Sequence, residues 1–316
     1  MAALKKQDNV DSAIIRDEII RVGNEVRARW PLLDRYQDYV GLAILVTAVS
    51  VALAGGYAIH TSAVPYWVGF LVVAFATSIV HEMEHDLIHN MYFANGFMND
   101  VMMAMCWSVR WNGINPWTRR RVHFHHHKAS GTASDIEEQA ITNGTPFGLR
   151  RLLMMADNGL AFFMRPLEII SIMRKYRLQQ EPLTKPERVA IALENIFSYF
   201  PLGVIHIACM YSFIAYHVIS RAWGVEHVPR LIVEWMPLIS QYLWCQGFPN
   251  AFRVFILITV SSNMHYFGDI DRATSCTRRR CGTLGGRCRS TSSRSTSARR
   301  TASTTSSPAT ASTCGR

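Results

Sequence analysis

Between Val40 and Ile59 the chain has no charged residue for twenty positions, and charge is absent again from Val64 to Val80. Asn195 to Ser220 is a third run without Asp, Glu, Lys or Arg, interrupted only by Pro201, His206 and His217. A helix needs roughly 20 apolar residues to cross a bilayer core. These gaps in charge therefore predict spans at about 40–59, 64–80 and 195–220 and argue against a large soluble bundle. A fourth apolar stretch, 231–260, carries Glu234, Arg253 and several prolines and glycines, so its crossing is expected to be broken or tilted.

Other features are missing too. The start, "MAALKKQDNVDSAIIRDEII", is charged and lacks the apolar core of a cleavable leader, so none is expected. Metal or disulfide spacing is absent from the seven cysteines: four lie after residue 270, and Cys106, Cys209 and Cys245 are scattered in apolar surroundings. The net charge of +10 does not indicate nucleic acid. From Asp271 onward there are ten arginines, one acid and no lysine, which leaves residues 1–270 at only +1.

The basic residues that remain are unevenly distributed. Residues 1–37 hold seven Lys/Arg and 110–188 hold thirteen, whereas the link between the first two spans holds none. The positive-inside rule then places the N-terminus and 110–188 in the cytoplasm. Residues 1–37 read as a cytosolic segment with an amphipathic helix, "SAIIRDEIIRVGNEVRARW", suited to packing or to the membrane surface. If the last two runs cross out and back, "SSNMHYFGD" at 261–269 meets the same side as residue 81. Trp107, Trp111 and Trp117 fit an interfacial aromatic belt. His206 and His217 read as packing or interface residues within a span, and His60 and His227 as loop residues.

Seven of the twelve histidines fall within 47 residues: His81, His85, His89, His123, His125, His126 and His127. On a helix the first three step round by about 40° each and line one stripe. His123, His126 and His127 share a second face, from which His125 points away. Imidazole suits zinc and iron alike. "HEMEH" also satisfies H-E-x-x-H, the zinc-protease pattern in which Glu82 would be the general base. A catalytic zinc takes three protein ligands and keeps an open position. Six imidazoles, His89 among them, suit two metals sharing a site, and two irons if the chemistry uses oxygen.

With H-x-x-x-H at His81/His85 and H-x-x-H-H at His123/His126/His127, the sequence resembles the membrane fatty acid desaturase and hydroxylase superfamily. "HEMEHDLIHNMYF" and "NPWTRRRVHFHHHKASGTASDIEE" look like bacterial desaturases of this group over most of residues 30–270. The resemblance implies an all-α, multi-span membrane enzyme with a histidine-rich cytosolic cap. It implies two iron ions, O2 as co-substrate, a fatty acyl substrate linked to lipid, CoA or a carrier protein, and a site facing the cytoplasm of an inner or plasma membrane. No fused haem-binding motif is visible, so a separate donor such as ferredoxin is implied. His265 in "HYFG" matches a further ligand of acyl-CoA desaturases; the family's asparagine four residues earlier is Ser261 here, with Asn263 nearby.

The implied metal ligands are thus His81, His85, His89, His123, His126, His127 and His265, in a membrane domain over 38–270. Glu82, Glu84, Asp86, His125 and Asn263 are candidates to orient them as hydrogen-bond partners. Arg119 to Arg121 could attract a phosphate, an acidic carrier or lipid headgroups, or simply form a positive-inside flank. A hydroxylase on the same scaffold is the alternative activity, and a non-catalytic membrane protein the alternative class.

The family's third box, H-x-x-H-H after the last span, is absent. Residues 271–316 form a Ser/Thr/Arg-rich tail of the kind that cannot bury a core. Its composition is also that of a GC-rich gene read out of frame. Read one base out of register, codons for Arg300 to Ser306 can encode His-Gly-Ile-His-His-Phe, which has the missing spacing. A single-base shift near Ile270 is the expectation, with an incomplete iron site and impaired activity in the chain as it stands.

Overall fold

The computed structural model describes residues 2–111, 113–179 and 184–265. Its helices are α1 (Ala2–Arg29), α2 (Pro31–His60), α3 (Tyr66–Ile88), α4 (Gly96–Val109), α5 (Pro116–Ala129), α6 (Ile136–Ala140) and α7 (Leu149–Ala156). They continue as α8 (Asn158–Met164), α9 (Pro166–Gln179), α10 (Lys185–Ile196), α11 (Leu202–Ala222), α12 (Arg230–Tyr242) and α13 (Phe248–Met264). No strand occurs among the described residues. The expected 271–316 tail lies outside them.

Four helical stretches are long and apolar enough to cross a membrane: Pro31–His60, Tyr66–Ile88, Leu202–Ala222 and Arg230–Met264. Each differs from its uncharged run for a local reason. The first helix starts at Pro31, because proline suits the first helical position. It therefore takes in the last residues of the expected 1–37 segment. The third begins only at Leu202; residues 195–201 form the end of α10, a 3₁₀ turn and Pro201 instead. The fourth is α12 and α13 joined through a π-helical segment, Leu243–Gly247, with Pro237 inside α12. Its two charges are resolved separately: Glu234 pairs with Arg230 at 2.6 Å near the helix start, and Arg253 is buried. His60 closes α2 and His227 ends a short 3₁₀ turn, so neither is simply in a loop.

The most consequential difference is in α3. It continues eight residues beyond Val80, so that His81, Glu84 and His85 sit on the same rigid rod as the apolar span. That rod is held on one side by a core of Leu45 and Ala48 from α2, Val80, Met83 and Leu87 from α3, and Met102, Met103 and Cys106 from α4. Packing between membrane helices relies on close approach of small residues rather than on expulsion of water. Gly55 of α2 has that role, since a Cβ there would lie 2.9 Å from a Val73 methyl of α3. Gln246, in the π segment, donates to the Ala52 carbonyl of α2 at 3.0 Å and ties the last span to the first. Large apolar side chains such as Leu53, Phe75, Ile214 and Val260 remain exposed on the outer faces of the long helices, where lipid would cover them.

Candidate metal centre

α5 begins with Asn115, whose side chain accepts the Thr118 N–H at 2.8 Å, followed by Pro116 at the first helical position. This start sets the rotation of "RRRVHFHHH" against the end of α3. His123 is buried there. Its Nε2 lies 3.0 Å from that of His85, 3.1 Å from that of His89 and 3.1 Å from that of His127, and His127 Nε2 is 3.2 Å from His89 Nε2. His89 caps α3 from the position after Ile88, with its N–H bonded back to the carbonyls of His85 and Asp86.

His85, His89 and His123 form a group that could hold a metal ion, with His127 beside it. His123 Nδ1 lies 3.1 Å from Glu137 Oε2, so its proton belongs on Nδ1, donating to the carboxylate. The Nε2 lone pair therefore faces three other ring nitrogens, and one proton could bridge only one of those pairs. A cation could satisfy them together. An imidazole nitrogen lies about 2.1 Å from a bound zinc, and two ligands at right angles at that range are about 3 Å apart. The observed separations fit that geometry.

His126 turns away from this set, although it shares a helical face with His123 and His127. Its Nδ1 lies 2.8 Å from Asp135 Oδ2, and both groups are buried. Asp135 also caps α6 by accepting from the Glu138 N–H at 3.3 Å. His126, Glu138 and His265 form a second group whose ligand atoms lie within 4.8 Å of one another. His265, at the end of α13, stacks edge-on against His126 with ring centres 5.4 Å apart. Histidines from α3, α5 and α13 thus meet at one end of the bundle.

The surroundings set the charge of each ring. Burial, and then the neighbouring His123 ring, hold the His89 pKa below the usual value; burial followed by His123 and His89 does the same for His127. For His126, burial opposes protonation, but the bond and charge of Asp135 outweigh it and the pKa is raised. Glu137 goes the other way: burial pushes its carboxyl up, but the His123 hydrogen bond and charge bring it below the usual range.

Not every expected residue joins the groups. His81 is buried, but its Nε2 faces the Arg119 guanidinium at 3.1 Å and stands outside both. Glu84 is fully buried and acts through arginines. Arg110 donates to it in bidentate fashion, at 2.9 Å from Nε and 2.5 Å from Nη2, and Arg119 donates at 2.7 Å. Asp86 accepts from Tyr92 at 3.0 Å and lies 4.0 Å from His85. Glu82 is exposed. His125 lies 3.2 Å from the Ser134 carbonyl with its ring against Tyr176. Asn263 is exposed and donates to Thr259 within α13.

The three arginines, expected either to attract an anionic group or to form a positive-inside flank, each have a partner within the fold. Arg119 turns inward to Glu84 and His81, Arg120 donates to the Leu87 carbonyl at 2.8 Å and to Asn90, and Arg121 pairs with Glu194. Two of the tryptophans also have polar or packing duties: Trp117 donates to Asp100 at 2.9 Å, and Trp111 stacks on Tyr242. His206 lies 2.9 Å from the Tyr242 hydroxyl, and His217 packs on Phe213. Sequence reasoning missed Asp135, Glu137 and Glu138. The available signal was "SDIEE", an Asp at a helix-start position followed by two acids, shortly after the second histidine cluster.

A family model described as fatty acid desaturase matches residues 61–244, which contain both histidine clusters. The chain belongs to the fatty acid desaturase family, a group of oxidoreductases that act on fatty acyl chains in membranes and are generally di-iron. No curated protein and no solved structure matches it.

Proposed function

We propose that the protein desaturates fatty acyl chains at two irons held by its histidines, in the membrane and with the site facing the cytoplasm. The observation that carries this reading is the convergence at the end of an apolar span of His85, His89 and His127 on His123, whose Nε2 lies 3.0–3.1 Å from each of theirs. His126 and His265 supply imidazoles to the second position. His81 remains a candidate ligand only if Arg119 yields its place. Irons held there would supply oxygen activation: with O2, two electrons and two protons, two hydrogens leave adjacent carbons and two waters form.

The remaining residues position and tune. Glu137 and Asp135 each accept a hydrogen bond from an Nδ1–H and so fix which nitrogen His123 and His126 present. Arg119 joins α5 to α3 through Glu84, and Arg120 fastens the last turn of α3 through the Leu87 carbonyl. These bonds hold the two histidine-bearing helices in register before any metal arrives. The apolar flanks of α2 and α3 offer a dry setting for an acyl chain. Electrons come from a separate protein such as a ferredoxin, and the Lys/Arg asymmetry supports the cytoplasmic placement of the site.

The experiment is expression in a host with saturated membrane lipids, both of the chain as it stands and of the gene restored to the frame that encodes a third histidine box. New double bonds that need O2, made by the restored form and lost in its His123→Ala variant, are expected. Alcohols in place of alkenes would indicate the hydroxylase, and unchanged lipids would remove the enzymatic reading.

A further inference from the structure

α10 has two faces, and the described residues occupy only one of them. On the inner face Glu194 accepts from Thr118 Oγ1 at 3.1 Å and pairs with Arg121, both on α5. Ile191, one turn earlier on the same side, is partly buried. Just beyond α10, in the 3₁₀ turn Phe197–Tyr199, the Ser198 carbonyl accepts the Asn115 N–H at 2.7 Å. These bonds fasten α10 and the turn after it to the start of the helix that carries His123, His126 and His127.

On the other face Val189, Leu193 and Ile196 follow one another at i, i+4 and i+7, a single stripe of a helix. With Phe197 and Phe200 just beyond, these side chains are 49–67% exposed. An exposed row of large apolar groups marks a surface that meets something other than water. Its place in the chain says what. The span α11 starts two residues after Phe200 and carries the row onward through Val204 and Ile205, which are exposed as well. The stripe is therefore continuous with a surface that lipid covers. α10 is not part of that span: a 3₁₀ turn and Pro201 separate them. Its 12 residues include Lys185, Glu187, Arg188 and Glu194, too few and too charged to cross a bilayer.

We propose that α10 is a membrane-surface helix. Val189, Leu193, Ile196, Phe197 and Phe200 enter the cytoplasmic leaflet where headgroups give way to acyl chains, and Glu194 holds α5 above them. Helices of this kind bury their apolar face about 5–10 Å into that boundary. A second copy of the chain or an electron-donor protein would cover the row with protein instead, but neither accounts for its continuity with the lipid-facing side of α11. The inference rests on the reading of α11 as a membrane span with its start on the cytoplasmic side. It gives the histidine-bearing helix a support that stands on lipid.

The test places the photoreactive residue p-benzoyl-phenylalanine at Leu193 of the full chain, irradiates it in the host membrane and reads the masses of the labelled peptides. Leu193 is exposed, so the larger ring disturbs no packing. Leu53, exposed on α2, and Glu187, exposed on the Glu194 side of α10, are labelled in parallel. Phospholipid adducts at Leu193 and Leu53, and none at Glu187, are expected. A protein adduct at Leu193, or no lipid there while Leu53 carries it, would overturn the proposal and leave the membrane reading standing. Lipid adducts as abundant at Glu187 as at Leu193 would also overturn it, since the helix would then have no lipid-facing side. No lipid at Leu53 would instead overturn the membrane reading, and this proposal with it.

Discussion

His126 Nδ1 and Asp135 Oδ2 meet at 2.8 Å, both buried, where the end of α5 faces the start of α6. One carboxylate thus caps a helix and fixes the tautomer of a histidine. Asp135→Asn keeps a good capping side chain but removes the charge that draws the Nδ1 proton. Metal affinity at the His126 position should fall about 10–100-fold with helical content unchanged, read by cobalt dialysis and circular dichroism together. An unaltered affinity would show that the pair serves the fold alone.

Metal content should depend on pH in a definite order. A metal binds only neutral imidazole. Burial and neighbouring rings hold His89 and His127 below the ordinary pKa, so they are already neutral at about pH 7. His126 is raised despite its burial, because Asp135 stabilises its charged form. As pH falls, protons therefore displace metal first at His126, and metal content rises with pH in two steps. His126→Ala should abolish the step at higher pH in a titration between about pH 5 and 8. A single step, or loss of the other one, would contradict this order.

Glu84 is the anion on which Arg110 and Arg119 both converge. Glu84→Gln leaves two guanidinium groups in a buried place without their partner. Removing one member of such a group costs about 3–5 kcal/mol. A fall in the midpoint of thermal unfolding in detergent is expected, along with weaker metal binding as α5 loses its tie to α3. A variant as stable as the parent would show that water, not Glu84, satisfies these arginines.

Gly55→Leu should separate α2 from α3. Even a Cβ at this position would lie 2.9 Å from Val73, and overpacking of this kind costs about 1–3 kcal/mol. The unfolding midpoint should drop while the same change at Gly23, which has nothing within 4 Å of its Cβ position, leaves it in place. Equal effects at the two sites would mean that the contact is not limiting.

Much of this arrangement is legible in the residues. Long runs without charge mark the crossing helices because lipid gives no partner to a charge, and the histidine spacings mark two faces that can meet. What is not legible comes from distance along the chain. Nothing local to His126 says that its partner is Asp135 rather than Glu82 or Glu84, since the choice depends on how the loop after Ala129 turns back. The "RRR" run reads as one basic patch, yet Arg119 and Arg120 turn to α3 and Arg121 to Glu194 of α10, because α5 lies against α3 on one side only. His81 matches the spacing of a ligand, and only the position of Arg119 separates it from the others.

The most direct test of the centre is the iron content of the protein restored to the frame that encodes the third histidine box, beside that of its His123→Ala variant, after anaerobic loading with Fe(II) and gel filtration. His123 is the ring whose Nε2 faces those of His85, His89 and His127 at once. Firmly held iron in the frame-restored protein and its loss in that protein's His123→Ala variant, with the helical spectrum unchanged, is the expected result. Equal iron in the two proteins, or none in either, would contradict a metal centre built on these imidazoles.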